Sequence, residues 1–241
     1  MKIFPAIDIK DKKCVRLLQG NFDNQTIYDQ SPYDQALKYK EAGLLNLHMV
    51  DLDGALSGEL VNLEIIENII KKLDITIEIG GGIRSIDKIK AYIDIGVDKV
   101  ILGSAAIKDP DFLRQACETF EGKIALGLDA KKGKLSVSGW KETTNQTAED
   151  YLKNVNKHGF SRVIYTDIDR DGTKTAPNIE ETINIAKISS APVVVSGGIS
   201  SIGDIKKIKK LNKFNIEGVI VGKAIYDGDI NLNELKELEN A

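Results

Sequence analysis

Four glycine-ended apolar runs, set as two pairs half a chain apart, constrain this sequence more than any other feature. IEIGGGIRSIDKI (77–89) is followed by VILGSAAI (100–107), and VVVSGGISSIGDI (193–205) by VIVGKAI (219–225). Gly82 and Gly198 stand 116 residues apart in a chain of 241, so the pattern recurs at close to half its length. Each unit reads as strand, Gly-rich turn, helix, strand, Gly turn. Glycines at strand ends let backbone N–H groups and a helix N-terminus approach an anion, most often a phosphate. Such turns also serve tight βα connections without any ligand, and one copy alone is weak evidence. Two copies, each with its second Gly turn, predict two phosphate sites: Gly81 and Gly82 with Gly103 and Ser104, and Gly197 and Gly198 with Gly222 and Lys223.

The rest of the chain alternates in the same way. Apolar runs at 3–8, 45–51, 75–80, 99–103, 124–129, 162–167, 193–196 and 218–222 read as strands. Amphipathic stretches at 33–42, 63–72, 86–95, 112–119, 148–157, 179–188, 202–211 and 232–238 read as helices. Eight such units predict an α/β chain, a single (β/α)8 TIM barrel over residues 1–241. A doubly wound sheet rarely needs eight regular units or a half-length repeat. No Pro/Ser-rich linker divides the chain, so the reading is two duplicated half-barrels, approximately 1–120 and 121–241.

Charge narrows the partners. A net charge of −3, with 33 Lys+Arg and 36 Asp+Glu spread along the chain, points away from nucleic acid and membrane surfaces. A phosphorylated small molecule must then be held locally, by backbone amides and a few cations. Cys14 and Cys117 have no metal or redox spacing, and neither His48 nor His158 has a ligand-like neighbour, so no metal and no cofactor are expected. The opening apolar run is too short for a signal peptide, and no apolar stretch is long enough to span a bilayer. A cytoplasmic protein is expected, and one pocket per chain points to a monomer.

Side chains at the C-terminal ends of barrel strands face the active site. Asp8 ends the first strand, in PAID, and Asp129 the fifth, in LGLDA, 121 residues later. Alone, Asp8 reads equally well as a turn cap. Two carboxylates on corresponding strands are a natural general acid and general base. Thr166 closes the sixth strand and is placed in the pocket mouth, holding substrate or orienting Asp129. Asp51-Leu52-Asp53 and Asp167-Ile168-Asp169 repeat at the 116-residue offset. Asp51 and Asp167 read as structural, and Asp169 as a substrate contact at the pocket edge. Arg16, Arg84 and the backbone near Ser104 are further anion donors. Trp140 either covers a planar ligand or simply packs. The long connections at 11–31, 131–148 and 170–178 read as lids or grips, with Gly133, Gly139 and Gly172 as places to bend.

FPAIDIKDKKCVRLLQG, LHMVDLDGAL, IEIGGGIRS, VILGSAA, IYTDIDRDGT, VVVSGGISS and VIVGKAIYDG together resemble the half-barrel isomerase family of histidine biosynthesis, over the whole chain. The resemblance implies a half-barrel duplication and an Amadori rearrangement of an aminoaldose to an aminoketose. Its substrate carries a phosphate at each end. Carried over by motif, Asp8 is the general base at the sugar C2′. Asp129 is the acid that protonates the ring oxygen, Thr166 assists it, and Arg16 and Trp140 contact substrate from mobile loops. Two departures stand out: QGNF at 19–22 where the family usually has QGDF, and Ala176 where a Gly is common. The alternatives are the related cyclase, an isomerase that also takes phosphoribosylanthranilate, a non-catalytic phospho-ligand binder and a Schiff-base aldolase. The cyclase's PCLD is here PAID, both aspartates needed for catalysis are present, and the sixth strand ends in Thr166, not Lys. Dual substrate use stays open, because it depends on loop contacts to the aglycone.

Overall fold

The computed structural model describes residues 1–211 and 214–240. The chain begins with β1 (Lys2–Lys10), β2 (Lys13–Leu18), β3 (Asn21–Ile27), α1 (Pro32–Glu41), β4 (Asn46–Asp51), α2 (Leu52–Ser57) and α3 (Leu63–Leu73). It continues with β5 (Thr76–Gly80), α4 (Ile86–Asp94), β6 (Lys99–Leu102), α5 (Ser104–Lys108), α6 (Pro110–Thr119), β7 (Ile124–Lys131), β8 (Lys134–Val137) and β9 (Glu142–Thr147). Then come α7 (Ala148–Val155), β10 (Arg162–Asp167), α8 (Ile179–Ile188), β11 (Val193–Ser196), α9 (Ile202–Lys209), β12 (Ile216–Val221), α10 (Lys223–Tyr226) and α11 (Leu232–Asn240).

Eight strands pair in parallel around a closed ring: β1, β4, β5, β6, β7, β10, β11, β12 and back to β1. This is the expected (β/α)8 barrel. The helices between them follow from ordinary local chemistry. Ser31 caps α1 by accepting from Asp34 N, with Pro32 in the first turn, where a missing N–H costs nothing. Ser85 and Ser201 cap α4 and α9 in the same way, accepting from Lys88 N and Asp204 N. On α3, Ile66, Ile69 and Leu73 form the buried stripe against the barrel.

Strand alternation decides what faces the bore. On β1, Ile3, Ile7 and Ile9 pack outward into the layer shared with the helices, while Phe4 and Ala6 point inward with Ile164, Val194, Ile220 and Ile101. Asp8 lies on the same face as Phe4 and Ala6, two residues further toward the C-terminal rim. The same count puts Asp129 on the inward face of β7 and Thr166 on that of β10.

The structure departs from the sequence reading in three places. The segments 11–31 and 131–148 are β-hairpins, not open loops. β1 turns through Asp11 and Lys12 (φ 50° and 63°) into β2 and β3, and β7 turns through Lys132 and Gly133 (φ 50° and 75°) into β8 and β9. Positive φ at both turn positions matches the twist of an antiparallel pair. Gly103 and Gly222 fall just outside β6 and β12 and precede the short helices α5 and α10. α2 follows β4 directly, with Asp51 as its cap. Among the described residues, no helix is long and apolar enough to cross a membrane.

Candidate active site

A cavity of about 290 Å³ opens at the C-terminal rim of the barrel, and Asp8, Asp129 and Thr166 all line it. Each aspartate lies two residues before the end of a strand that runs on into a hairpin, and each hairpin returns a donor to it. Arg16, on β2, donates from Nη1 to Asp8 Oδ2 at 2.8 Å, and its Nη2 donates to the Ala6 carbonyl. The guanidinium lies over the Tyr226 ring, 5.2 Å from its centroid. It also lies against Gly222, where an added Cβ would come within 2.8 Å of its central carbon. Arg16 therefore sits on a strand beside Asp8 and one of the two glycine turns, not on an open loop.

Trp140, at the β8–β9 turn, donates from Nε1 to Asp129 Oδ2 at 2.8 Å. Ser138, Gly139 and Trp140 all have positive φ (58°, 66° and 66°), a tight bend that folds the indole back over the rim. Its ring is wedged against Gly20, where a Cβ would lie 2.3 Å from Cε3. Thr166 is directly opposite Asp129 in the β7–β10 register. Burial pushes the Asp129 carboxyl up, and hydrogen bonds from Trp140 and Thr166 oppose that rise only in part.

A third carboxylate, Asp171, lines the same cavity. Burial, then the nearby Asp8 charge, pushes it up to about 7, with Arg16 opposing. Its position is fixed by the first hairpin: Gln19 N donates to the Asp171 carbonyl at 3.1 Å, and Gly172 packs so close to Leu17 that a Cβ would lie 2.7 Å from the Leu17 carbonyl oxygen. Sequence reasoning gave Asp171 no role. The available signal was a carboxylate next to Gly172 in a connection already read as a lid. His48, which the sequence marks only as a histidine without metal-ligand neighbours, lines the cavity too.

The two glycine turns lie at the cavity through Gly81, Gly82, Gly103 and Ser104 from one pair of strands, and Gly197, Gly198, Gly222 and Lys223 from the other. Their packing is matched. A Cβ on Gly81 would lie 2.2 Å from the Asp51 carbonyl oxygen, and one on Gly197 2.7 Å from that of Asp167. An added Cβ on Gly82 or Gly198 would lie 1.8 or 2.4 Å from the Gly54 or Ala176 carbonyl oxygen. Backbone contact alone thus demands glycine here, whatever else the turns bind. Asp51 accepts from Gly54 N at 2.8 Å and from Asn62 N and Nδ2 at 3.0 and 2.7 Å. Asp167 accepts from Asn178 Nδ2 at 2.7 Å. Lys223 Nζ lies 3.0 Å from Asp227, and Ser104 Oγ accepts from Ser138 N at 2.9 Å. Arg84 lines the cavity and donates to the Ala55 carbonyl at 3.0 Å. Asp169 stands apart from the cavity lining, with Lys131 Nζ 3.9 Å from its carboxylate.

Chemically, the rim offers an ion-paired carboxylate, a half-buried carboxyl with neutral donors, a third acid, and glycine turns at either side. The family model described as histidine biosynthesis protein matches residues 2–231. A relative from Pelagibacter ubique (strain HTCC1062), named 1-(5-phosphoribosyl)-5-((5-phosphoribosylamino)methylideneamino) imidazole-4-carboxamide isomerase, is 67% identical over 240 residues, 99% of this chain and 100% of its own. Isomerases of the same name from Syntrophus aciditrophicus (strain SB) and Listeria welshimeri are 47% and 44% identical. They cover 97% and 100% of this chain, and 97% and 99% of their own length.

Proposed function

The chain belongs to the histidine biosynthesis protein family, and we propose that Asp8 and Asp129 divide the proton transfers of its reaction between them. That reaction is an aldose–ketose isomerisation. The chain converts the aminoaldose N-(5′-phosphoribosylformimino)-5-aminoimidazole-4-carboxamide ribonucleotide to its aminoketose, phosphoribulosyl form. Such a rearrangement needs an acid to open the ribose ring and a base to take the C2′ proton.

The observation that carries the assignment is the contrast between the two donors. Asp129 is half-buried with a neutral indole N–H and a threonine hydroxyl, and the desolvation leaves its carboxyl raised and suited to give a proton to the ring oxygen. Asp8 is ion-paired with Arg16, which presents it as a carboxylate that can take the C2′ proton. Thr166 positions Asp129. One substrate phosphate lies at Gly81, Gly82, Gly103 and Ser104 and the other at Gly197, Gly198, Gly222 and Lys223. Arg16 and Trp140 meet the substrate between them. Asp169, facing Lys131, is at most an outer contact.

The test is turnover of Asp8→Asn and Asp129→Asn with substrate binding followed separately. Each is expected to lose about 10²- to 10⁴-fold in kcat while still binding. Wild-type turnover in either variant would remove that residue from the chemistry. A second reading gives the acid role to Asp171, favoured by its rise to about 7 inside the same cavity. Under that reading Asp171→Asn carries the large loss and Asp129→Asn a small one. Assaying phosphoribosylanthranilate alongside decides whether one or two aminoaldoses are accepted.

We also propose a single barrel domain made of two copied halves, near 1–120 and 121–241, supported by the matched hairpins and glycine turns. A cytoplasmic monomer fits a cavity built from one chain and two buried, unpaired cysteines.

A further inference from the structure

Below the cavity, the bore carries a run of charged groups that the acid–base reading leaves unused. Glu78 on β5 and Arg162 on β10 are 2% and 3% exposed, and Arg162 Nη1 donates to Glu78 Oε2 at 2.5 Å. Arg162 Nε donates to Glu217 Oε1, Lys2 Nζ lies 3.6 Å from the other Glu217 oxygen, and the Phe4 ring sits 4.8 Å from the guanidinium. The second oxygen of Glu78, Oε1, is 2.8 Å from His48 Nδ1. His48 and Glu78 are direct register partners on β4 and β5, and the His48 ring lines the cavity.

A carboxylate only accepts, so Nδ1 carries the hydrogen. Nε2 is then the ring nitrogen left for the cavity, and in the neutral ring it is an acceptor. A charged chain in a barrel bore is no more stabilising than a well-packed apolar filling. What an apolar filling cannot do is fix the tautomer and angle of a histidine. An acceptor at this place disfavours phosphate oxygens and selects a donor. Between its phosphates the substrate offers hydroxyl and N–H donors. His48 pairs in register with Ala6, two residues from Asp8 on the same face of β1, which sets it beside the ribose that Asp8 works on and makes a ribose hydroxyl the donor.

We propose that His48 contacts the substrate, its Nε2 accepting a hydrogen bond from a ribose hydroxyl, and that Glu78 and Arg162 are positioning residues that hold His48 in the Nδ1–H tautomer; this rests on the isomerase reading above. The arrangement makes a specific demand of Glu78→Gln. Arg162 requires an acceptor, so the amide oxygen turns to Arg162 and the amide NH2 faces His48 Nδ1. The ring must then accept at Nδ1 and carry its hydrogen on Nε2, which turns the cavity-facing nitrogen into a donor.

Nitrogen-15 NMR reads this directly, because the chain has only two histidines and His48→Asn identifies the signals by their loss. In the wild type Nδ1 is expected as the pyrrole-type nitrogen and Nε2 as the pyridine-type one, exchanged in Glu78→Gln, with kcat/KM down about 10- to 100-fold. His48→Asn keeps a donor at the Nδ1 position but ends short of Nε2. The same loss is expected there with little change in unfolding midpoint, and His48→Gln, which reaches the Nε2 position, should recover part of it. A hydrogen on Nε2 in the wild type, or wild-type kcat/KM in His48→Asn, would overturn the proposal even if Glu78→Gln fails to fold. Wild-type turnover measured alongside separates the two readings: an active wild type with an indifferent His48→Asn sinks the histidine role alone, and an inactive wild type sinks both.

Discussion

Asp8 and Asp129 each take a 2.8 Å hydrogen bond from a hairpin side chain, one from a cation and one from an indole. The indole bond opposes the effect of burial on Asp129. Trp140→Phe keeps the ring against Gly20 but removes the N–H, so the Asp129 carboxyl should rise further. With Asp129 as the acid, the high-pH limb of kcat then moves to higher pH, which a pH–rate profile detects. A shift to lower pH would contradict the assignment. Asp171 titrates differently. Its folded value, about 7, lies above the unfolded 3.8, so the native state holds a proton that the unfolded chain releases between them. The cost to stability is absent below about 4, grows as pH rises, and is complete above about 7. Asp171→Asn removes it and should stabilise the free protein by up to about 4 kcal/mol at neutral pH, with no gain below about 4, by denaturation at a series of pH values. A gain independent of pH would mean the carboxyl is not held neutral. Asp8, Asp129 and Thr166 were legible because strand period fixes which residue faces the bore at the rim. Asp171 was not, because nothing periodic orients the connection that carries it.

The connection at 170–178 shows how an element closes the cavity. Lys174 Nζ bonds Asp227 and Asp229, both at 2.7 Å, and Gln19 Nε2 donates to the Asp169 carbonyl at 2.8 Å. Ala176 holds φ 75°, in the left-handed region that glycine occupies freely, while its carbonyl accepts from Arg170 Nη1 at 2.9 Å. Left-handed strain costs about 1–2 kcal/mol, and glycine returns part of any relief through the unfolded chain. Ala176→Gly is expected to stabilise by about 0.5–1 kcal/mol, seen as a higher urea midpoint. A lower midpoint would show that the backbone is not strained there. The eight barrel strands and the long helices between them were readable, since apolar runs and amphipathic stripes mark both. The hairpins were not, because NFDNQTI and ETTNQT are polar and largely exposed. Neither were α2, α5 and α10, which at four to six residues are too short for helical periodicity to register.

At the scale of the whole molecule, the bore holds a chain of charged groups among its apolar side chains, and sequence had no means of showing this. Glu78 and Arg162 each sit in an apolar strand run, far apart in the chain, and only barrel closure makes them neighbours. Their bond also crosses between the first four and the last four barrel strands, whose ladders join at the β1–β12 and β6–β7 seams. If that bond holds the barrel shut, removing both ends should be at least as harmful as removing one. Physical chemistry predicts the opposite. Arg162→Met strands the Glu78 carboxylate, 2% exposed, among apolar walls, a loss of about 3–5 kcal/mol. Combining it with Glu78→Met removes the stranded charge and fills the bore, and should recover most of that loss. Glu217 keeps Lys2 and part of its hydration, its side chain being 22% exposed. Stability and turnover should then separate: the double variant unfolds near the wild-type urea midpoint, yet stays impaired in kcat/KM because His48 has lost its anchor. A double variant as unstable as the single would make the ion pair a structural tie across the barrel. Recovery of stability without recovery of turnover would assign its purpose to the histidine above it.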